Sequence, residues 1–174
     1  LKYWQQFGDL SKLNFNYENL FDDEINETSF DIIIAQDTLH HLEPLKTAIS
    51  IFKKALKPGG KLIAIEENGL NIIQNIKLLK QRGNKRIITI YDEVLKKEIL
   101  LGNENIKSEK CWKKWFADQD MILDKNSIHY IRFYPPKYFN TNPDEIIKRE
   151  QRLWKKNSLL KKYFFFGLNF VVKN

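Results

Sequence analysis

The sequence predicts an α/β fold, and two apolar strands on either side of one amphipathic helix are the observations that predict it. The segment FDIIIAQ, residues 30–36, is a continuous apolar run, which is typical of a strand buried on both faces. KLIAIEE, residues 61–67, supplies a second strand of the same kind. Because short loops join both strands to the helix, the three elements form a βαβ unit with parallel strands, and such crossovers are right-handed in about 98% of cases.

The helix between these strands is predicted from one apolar stripe at helical spacing. The stripe consists of Leu45, Ala48, Ile49, Phe52, Ala55 and Leu56. Pro44 favours the first turn of this helix. The sequence Lys57-Pro58-Gly59-Gly60 ends it, because the residue before a proline is disfavoured in the helical region and glycines allow a tight reversal.

Beyond residue 67 the βα pattern gives way to other elements. The predicted order is a helix over 70–82, a β-hairpin over 85–102, a helix capped by Ser108, a strand over 127–134, a helix starting at Asn142-Pro143 and a last strand over 163–172. We therefore divide the chain into a sheet core (1–69), an inserted helix–hairpin–helix lid (70–120) and C-terminal strands with a helix (121–174). Aromatic residues of the insert are expected to cover a crevice.

Length and composition fit one globular domain. The chain has 174 residues, with 29 Lys and Arg against 22 Asp and Glu and a net charge of +7. The basic residues are spread along the chain, which favours a solvated surface. A nucleic-acid partner is not excluded. The single cysteine excludes an internal disulfide and a cysteine-based metal site, and it fits a reducing, cytoplasmic compartment. No apolar run reaches the roughly 18 residues of a membrane span.

Polar and titratable side chains follow the strand at residues 30–36. Gln36 and Asp37 come at its carboxyl end, where open α/β sheets place their ligand crevice. Glu66 and Glu67 end the neighbouring strand at the same edge. Because side chains alternate along a strand, only one of these two glutamates is expected to face the crevice.

His40 and His41 allow three interpretations. No metal site is predicted, because a third ligand at suitable spacing is lacking and adjacent histidines on an extended segment point in opposite directions. A general base is possible, since the pKa of histidine lies near 6.5. The favoured interpretation is a structural corner, in which one imidazole packs under the helix and the other caps it.

Residues 8–66 resemble the second half of a class I S-adenosylmethionine-dependent methyltransferase domain. The resemblance rests on Gly8-Asp9-Leu10, similar to the acidic turn after that family's third strand, and on SFDIIIAQDTLHHL, similar to its fourth strand and loop. IFKKALKPGGKLIAIEE resembles the family's next helix, turn and fifth strand, and FGLNFVV its closing strand. This implies a Rossmann-like, mostly parallel sheet with helices on both faces and an antiparallel C-terminal strand.

The resemblance also implies S-adenosylmethionine as cofactor. It suggests that the Asp9 carboxylate accepts a hydrogen bond from the adenine amino group, with Leu10 against the ring, and that Gln36 and Asp37 lie near the methionine part. Glu66 and Glu67 would stand on the substrate side. Asp37 and His40 are the two candidates for a catalytic base.

One part of the family pattern has no counterpart in the sequence. The glycine-rich loop after the family's first strand is missing, so we expect the chain to be incomplete at its N-terminus. By itself it is then expected to bind S-adenosylmethionine poorly, to be inactive, and to expose an edge of the strand at residues 30–36.

The predicted function is methyl transfer by direct displacement to an unidentified acceptor, a small molecule or a macromolecule. Two alternatives stay open: a non-catalytic basic Rossmann-like module that binds RNA or a protein, and a fragment of a nicotinamide-dependent oxidoreductase. The oligomeric state is not predicted.

Overall fold

The computed structural model describes residues 6, 8–22, 25–140 and 142–174. Its centre is a five-stranded sheet with the order β1-β2-β7-β5, in which β6 also pairs with β7. The strands are β1 (Phe30–Gln36), β2 (Leu56–Glu67), β5 (Ile122–Leu123), β6 (His129–Ile131) and β7 (Gly167–Lys173). β1 and β2 are parallel, and β7 is antiparallel to its neighbours β2, β5 and β6. The predicted α/β fold with an antiparallel C-terminal strand is therefore confirmed, and β1 and β2 form the one parallel pair among the described strands of this sheet.

Five α-helices connect or flank these strands in the described residues. They are α1 (Leu45–Ala55), α2 (Ile72–Arg82), α3 (Glu109–Ala117), α4 (Pro143–Lys156) and α5 (Ser158–Phe164). Side chains of the residues before α2, α3 and α4 cap them: Asn71 accepts from Gln74 N, Ser108 from Cys111 N and Asn142 from Glu145 N. None of the helices in the described ranges is long and apolar enough to cross a membrane.

The hydrophobic core lies on one face of the sheet, under α1 and α3. Ala64 of β2 and Phe170 of β7 are buried there, and the rings of Trp112 and Phe116 lie 6.0 and 5.9 Å from the ring of Phe170. Both α3 rings are fully buried. Helix α3 therefore belongs to the core, although the sequence groups it with the lid at 70–120, because its apolar face is needed to cover β7.

The opposite face of β1 is open to solvent. The side chains of Ile32 and Ile34 are 54% and 65% exposed, whereas Ala35 is buried. The prediction that β1 is buried on both faces is therefore wrong. Among the described residues β1 pairs only with β2, so it is an edge strand. Part of its apolar run faces solvent, because no described residue covers that face.

The predicted hairpin is confirmed as β3 (Ile87–Asp92) and β4 (Lys97–Gly102), which pair with each other and form a separate two-stranded sheet. Its end is attached to the turn after β1, where Leu42 and Leu101 form an isolated bridge and Gly102 N donates to His41 O at 2.8 Å. A Cβ atom at Gly102 would lie 2.1 Å from His40 O. Only glycine permits this close approach.

Candidate functional site

The candidate site begins where β1 ends. Asp37 follows directly, with its amide N donating to Ile65 O of β2 at 2.7 Å and a backbone φ of 45°. The Asp37 side chain leaves the sheet, and its Oδ1 lies 3.3 Å from Nη2 of Arg132. Gln36 is exposed, and its carbonyl accepts from the Thr38 hydroxyl at 2.7 Å. Gln36 and Asp37 thus lie at the sheet edge that the sequence predicts.

A cavity of about 600 Å³ adjoins this edge. Its polar lining residues are Glu67, Gln74 and Arg132, and its other lining residues are Phe133, Tyr134, Pro135, Pro136, Phe139 and Phe166. Gln36 and Asp37 do not line the cavity, but Arg132 both lines it and contacts Asp37, so this side chain links the cavity to the end of β1. Apolar walls with a few polar groups are typical of small-molecule sites.

The two glutamates at the end of β2 point in different directions, as strand alternation predicts. Glu67 lines the cavity, and its Oε2 accepts a hydrogen bond from Nε2 of Gln74. Glu66 is fully buried, and its Oε1 accepts from the amides of Thr38 and Leu39 at 3.1 and 2.7 Å. Glu66 therefore holds the turn after β1, and Glu67 is the glutamate that faces the cavity.

His40 is held by the same buried glutamate. Its Nδ1 lies 2.6 Å from Glu66 Oε2, and only 2% of the side chain is exposed. Burial favours the neutral imidazole, but the hydrogen bond and charge of Glu66, with the charges of Glu67 and Glu104, outweigh it and raise the pKa of His40 above 6.5. His40 is not among the residues that line the cavity.

The two histidines do not point in opposite directions, contrary to the sequence argument against a metal site. Residues 38–42 form a turn, in which Thr38 O accepts from His41 N at 2.9 Å. The two ring centroids are consequently only 4.1 Å apart. Nδ1 of His41 donates to the carbonyl of Gly102 at 2.8 Å.

Asp9 and Leu10 do not line this cavity. The Asp9 carboxylate is exposed and accepts from the amide and the hydroxyl of Ser11, both at 2.9 Å. These two hydrogen bonds lower the pKa of Asp9. This is the geometry of a carboxylate that caps a turn.

Sequence reasoning missed Arg132 and Glu150. Glu150 of α4 is 4% exposed, and its carboxylate accepts from the amides of Arg132, Phe133 and Tyr134 at 3.3, 2.7 and 2.9 Å. It thereby fixes one wall of the cavity. The available signal was that Glu150 lies on the apolar side of an amphipathic helix. A charged side chain is buried there only when hydrogen bonds or an opposite charge compensate it.

A family model described as a methyltransferase domain matches residues 2–62. Solved structures of similar fold include an S-adenosylmethionine-dependent methyltransferase from Methanosarcina mazei, with a TM-score of 0.51 and 15% identity over 90% of this chain and 65% of that one. An S-adenosylmethionine-dependent methyltransferase from Mesorhizobium loti has a TM-score of 0.54 and 10% identity over 98% of this chain and 74% of that one. These findings confirm the resemblance that the sequence motifs indicate.

A third similar structure is Haemonchus contortus phosphoethanolamine N-methyltransferase 2 in complex with S-adenosyl-L-methionine. It has a TM-score of 0.50 and 14% identity, over 89% of this chain and 35% of that one. No curated protein matches the sequence. The chain spans 65% of the length of the Methanosarcina mazei protein.

Proposed function

We propose that the protein methylates an acceptor held in the cavity of about 600 Å³. The premise is that the chain has the fold of class I S-adenosylmethionine-dependent methyltransferases and that its residues 2–62 match a methyltransferase domain. The position of this cavity carries the proposal. Glu67 at the end of β2 lines it, and Arg132 connects it to Asp37 at the end of β1. Open α/β sheets bind their ligands at this edge.

The residues at this edge fit a sulfonium cosubstrate. Asp37 and Glu67 supply negative charge, the rings of Phe133 and Tyr134 can face a cation, and the Arg132 guanidinium can bind a carboxylate. Bound S-adenosylmethionine supplies a methyl group on positively charged sulfur, which an acceptor displaces in line. We assign Gln36 and Asp37 to the cosubstrate side, with Asp9 and Leu10 as further candidates from the segment before β1.

The acceptor side is assigned to Glu67 and the walls of the cavity. Gln74 donates to the Glu67 carboxylate and so orients it, and no described residue donates to the other oxygen. The aromatic and proline side chains around it exclude water. We therefore propose an acceptor with an apolar body and a donor or cationic group that faces Glu67.

Asp37 is the better placed of the two candidate bases. Its side chain is 42% exposed and contacts Arg132, which lines the cavity. His40, in contrast, is buried between Glu66 and Glu104. A base must come within hydrogen-bond reach of the acceptor proton. Glu66 and His40 are accordingly assigned to positioning, because they fix the turn that carries Asp37.

Acceptor-dependent release of S-adenosylhomocysteine tests the proposal. The protein expressed from its complete open reading frame is incubated with S-adenosylmethionine and a panel of amine, phenol and carboxylate acceptors. The active acceptor is then compared between wild type, Glu67→Gln and the control Glu98→Gln, an exposed glutamate of β4. We expect Glu67→Gln to lower kcat/KM roughly tenfold or more and Glu98→Gln to leave it unchanged. Equal values for wild type and Glu67→Gln would refute the acceptor assignment.

A further inference from the structure

We propose that the turn after β1 and the end of the β3–β4 hairpin form a zinc site, with Nε2 of His40, Nε2 of His41 and the carboxylate of Glu104 as ligands. Each of the three residues offers one ligand atom, and these atoms lie within 4.8 Å of one another. None of the three residues lines the cavity of about 600 Å³, and the inference does not depend on the proposed function.

Both imidazoles are already oriented as metal ligands are. Nδ1 of His40 faces the Glu66 carboxylate, and Nδ1 of His41 faces the Gly102 carbonyl, at 2.6 and 2.8 Å. Since a carboxylate and a carbonyl accept hydrogen bonds, each Nδ1 carries a proton. In the neutral imidazole the lone pair is then on Nε2. Metal-binding histidines are commonly held in this way by a carboxylate or a backbone carbonyl at the other ring nitrogen.

Glu104 faces the two Nε2 atoms from the hairpin side. Its two carboxylate oxygens lie 3.8 Å from Nε2 of His40 and 3.9 Å from Nε2 of His41. With metal–ligand distances of about 2.0–2.2 Å, tetrahedral ligands are separated by about 3.4 Å. A shift of about half an ångström of the partly exposed Glu104 side chain would bring its oxygens to this separation from the two Nε2 atoms.

The backbone around Glu104 is fixed. Glu104 has a φ of 52°, its amide N donates to Gly102 O at 3.1 Å, and its carbonyl accepts from Ile106 N at 2.8 Å. Gly102 in turn lies against the backbone of the histidine turn, where a Cβ would clash. Left-handed residues other than glycine that their surroundings hold in place cluster at functional sites.

The ligand set fits zinc, since two histidines and one glutamate are the protein ligands of some catalytic zinc sites. Two imidazole nitrogens and one carboxylate suit a transition metal rather than Ca²⁺ or Mg²⁺, which prefer oxygen ligands. Three protein ligands also leave a fourth position of the Zn²⁺ tetrahedron for water. Access is available, because the side chains of His41 and Glu104 are 35% and 38% exposed and His41 lines a second cavity of about 460 Å³.

Competition titration against a chromophoric chelator tests the site with Zn²⁺ itself. The exposed thiol of Cys111 is first replaced by serine, so that it contributes no ligand. In this background Glu104→Gln removes one proposed ligand at nearly constant volume, His41→Gln removes a second, and Glu98→Gln and His129→Gln are controls outside the cluster. Circular dichroism of the metal-free variants checks that each is folded.

We expect one Zn²⁺ per chain, bound roughly tenfold or more weakly by Glu104→Gln and His41→Gln and equally well by both controls. Co²⁺ in place of Zn²⁺ should give the intense visible bands of a tetrahedral site, and Glu104→Gln should change them. Failure of the Cys111→Ser parent protein to compete with the chelator would overturn the proposal. Binding that Glu104→Gln leaves unchanged would overturn it equally, even if His41→Gln does not fold.

Discussion

Asp37 and Arg132 form an ion pair across the edge of the sheet, with Arg132 Nη2 3.3 Å from Asp37 Oδ1. Each residue directly follows a strand, β1 for Asp37 and β6 for Arg132, and each has a left-handed backbone, with φ of 45° and 63°. Left-handed non-glycine residues are uncommon and concentrate at functional sites. The pair joins the proposed cosubstrate side of the site to the acceptor cavity.

Replacing Arg132 by glutamine should affect activity far more than stability. Both side chains of the pair are more than two-fifths exposed, so its loss should change the free energy of unfolding by less than about 1 kcal/mol. Because Arg132 positions Asp37 and lines the cavity, we expect kcat/KM for the acceptor to fall roughly tenfold or more. Urea unfolding and the S-adenosylhomocysteine assay measure the two effects. Arg149→Gln, which breaks an exposed pair with Glu145 on α4, is the control and should change neither.

Replacing Glu66 by alanine should destabilise the fold strongly. The buried carboxylate accepts from two backbone amides and from His40, and alanine would leave these donors unsatisfied. We expect a loss of about 3 kcal/mol in the free energy of unfolding, measured with urea at neutral pH. Glu98→Ala on the exposed side of β4 should cost less than about 0.5 kcal/mol. A Glu66→Ala protein as stable as the Glu98→Ala protein would contradict the structural role assigned to Glu66.

The contribution of Tyr130 to stability should depend on pH. Its hydroxyl donates to Glu109 Oε2 at 2.7 Å. Burial alone would raise the pKa of Glu109, but hydrogen bonds from Lys113 and Tyr130 outweigh it and lower this pKa below 4.5. The stabilisation is therefore complete above pH 4.5 and is lost as the pH falls through the lowered value.

We expect Tyr130→Phe to lower the free energy of unfolding by about 1 kcal/mol at pH 7, and by less as the pH is taken below 4.5. Urea unfolding across this range measures the difference from wild type. Tyr138→Phe, at an exposed ring, is the control. A Tyr130→Phe effect of constant size from pH 7 to the acid limit of folding would show that Glu109 is not involved.

The open face of β1 should promote self-association. Ile32 and Ile34 expose more than half of their side chains on an edge strand, which is a surface prone to pairing with other chains. Ile34→Lys should reduce association in sedimentation velocity and change stability by less than about 1 kcal/mol. Ile147→Lys, at an exposed isoleucine of α4, should leave association as it is. Indistinguishable sedimentation of wild type and Ile34→Lys would contradict this.

The fold of the first part of the chain was accessible from the sequence because its patterns are local. The apolar stripe of α1 and the strand that contains residues 61–67 depend on spacing and on turn chemistry, and the structure has both. The predicted boundary between them is wrong, because the helix ends at Ala55 and β2 already begins at Leu56, ahead of the predicted turn at 57–60. The burial of β1 was not accessible in this way. The apolar run at residues 30–36 shows that both faces of the strand could be buried. It does not show whether neighbouring elements cover them.

The candidate site was only partly accessible for the same reason. Gln36, Asp37 and Glu67 could be placed, because carboxyl ends of parallel strands meet at one edge. The Asp37–Arg132 pair joins residues 95 positions apart, and no spacing rule indicates it. The cluster of His40, His41 and Glu104 was missed because it requires a turn where the sequence argument assumed an extended segment.

Calorimetric titration with S-adenosylhomocysteine tests the central claim most directly, because the product binds without turnover. For the protein expressed from its complete open reading frame we predict one molecule bound per chain with micromolar affinity, weakened by Asp37→Asn and unaffected by Glu98→Gln. Absence of binding to the complete protein at millimolar ligand would contradict the account, as would binding that Asp37→Asn leaves unchanged.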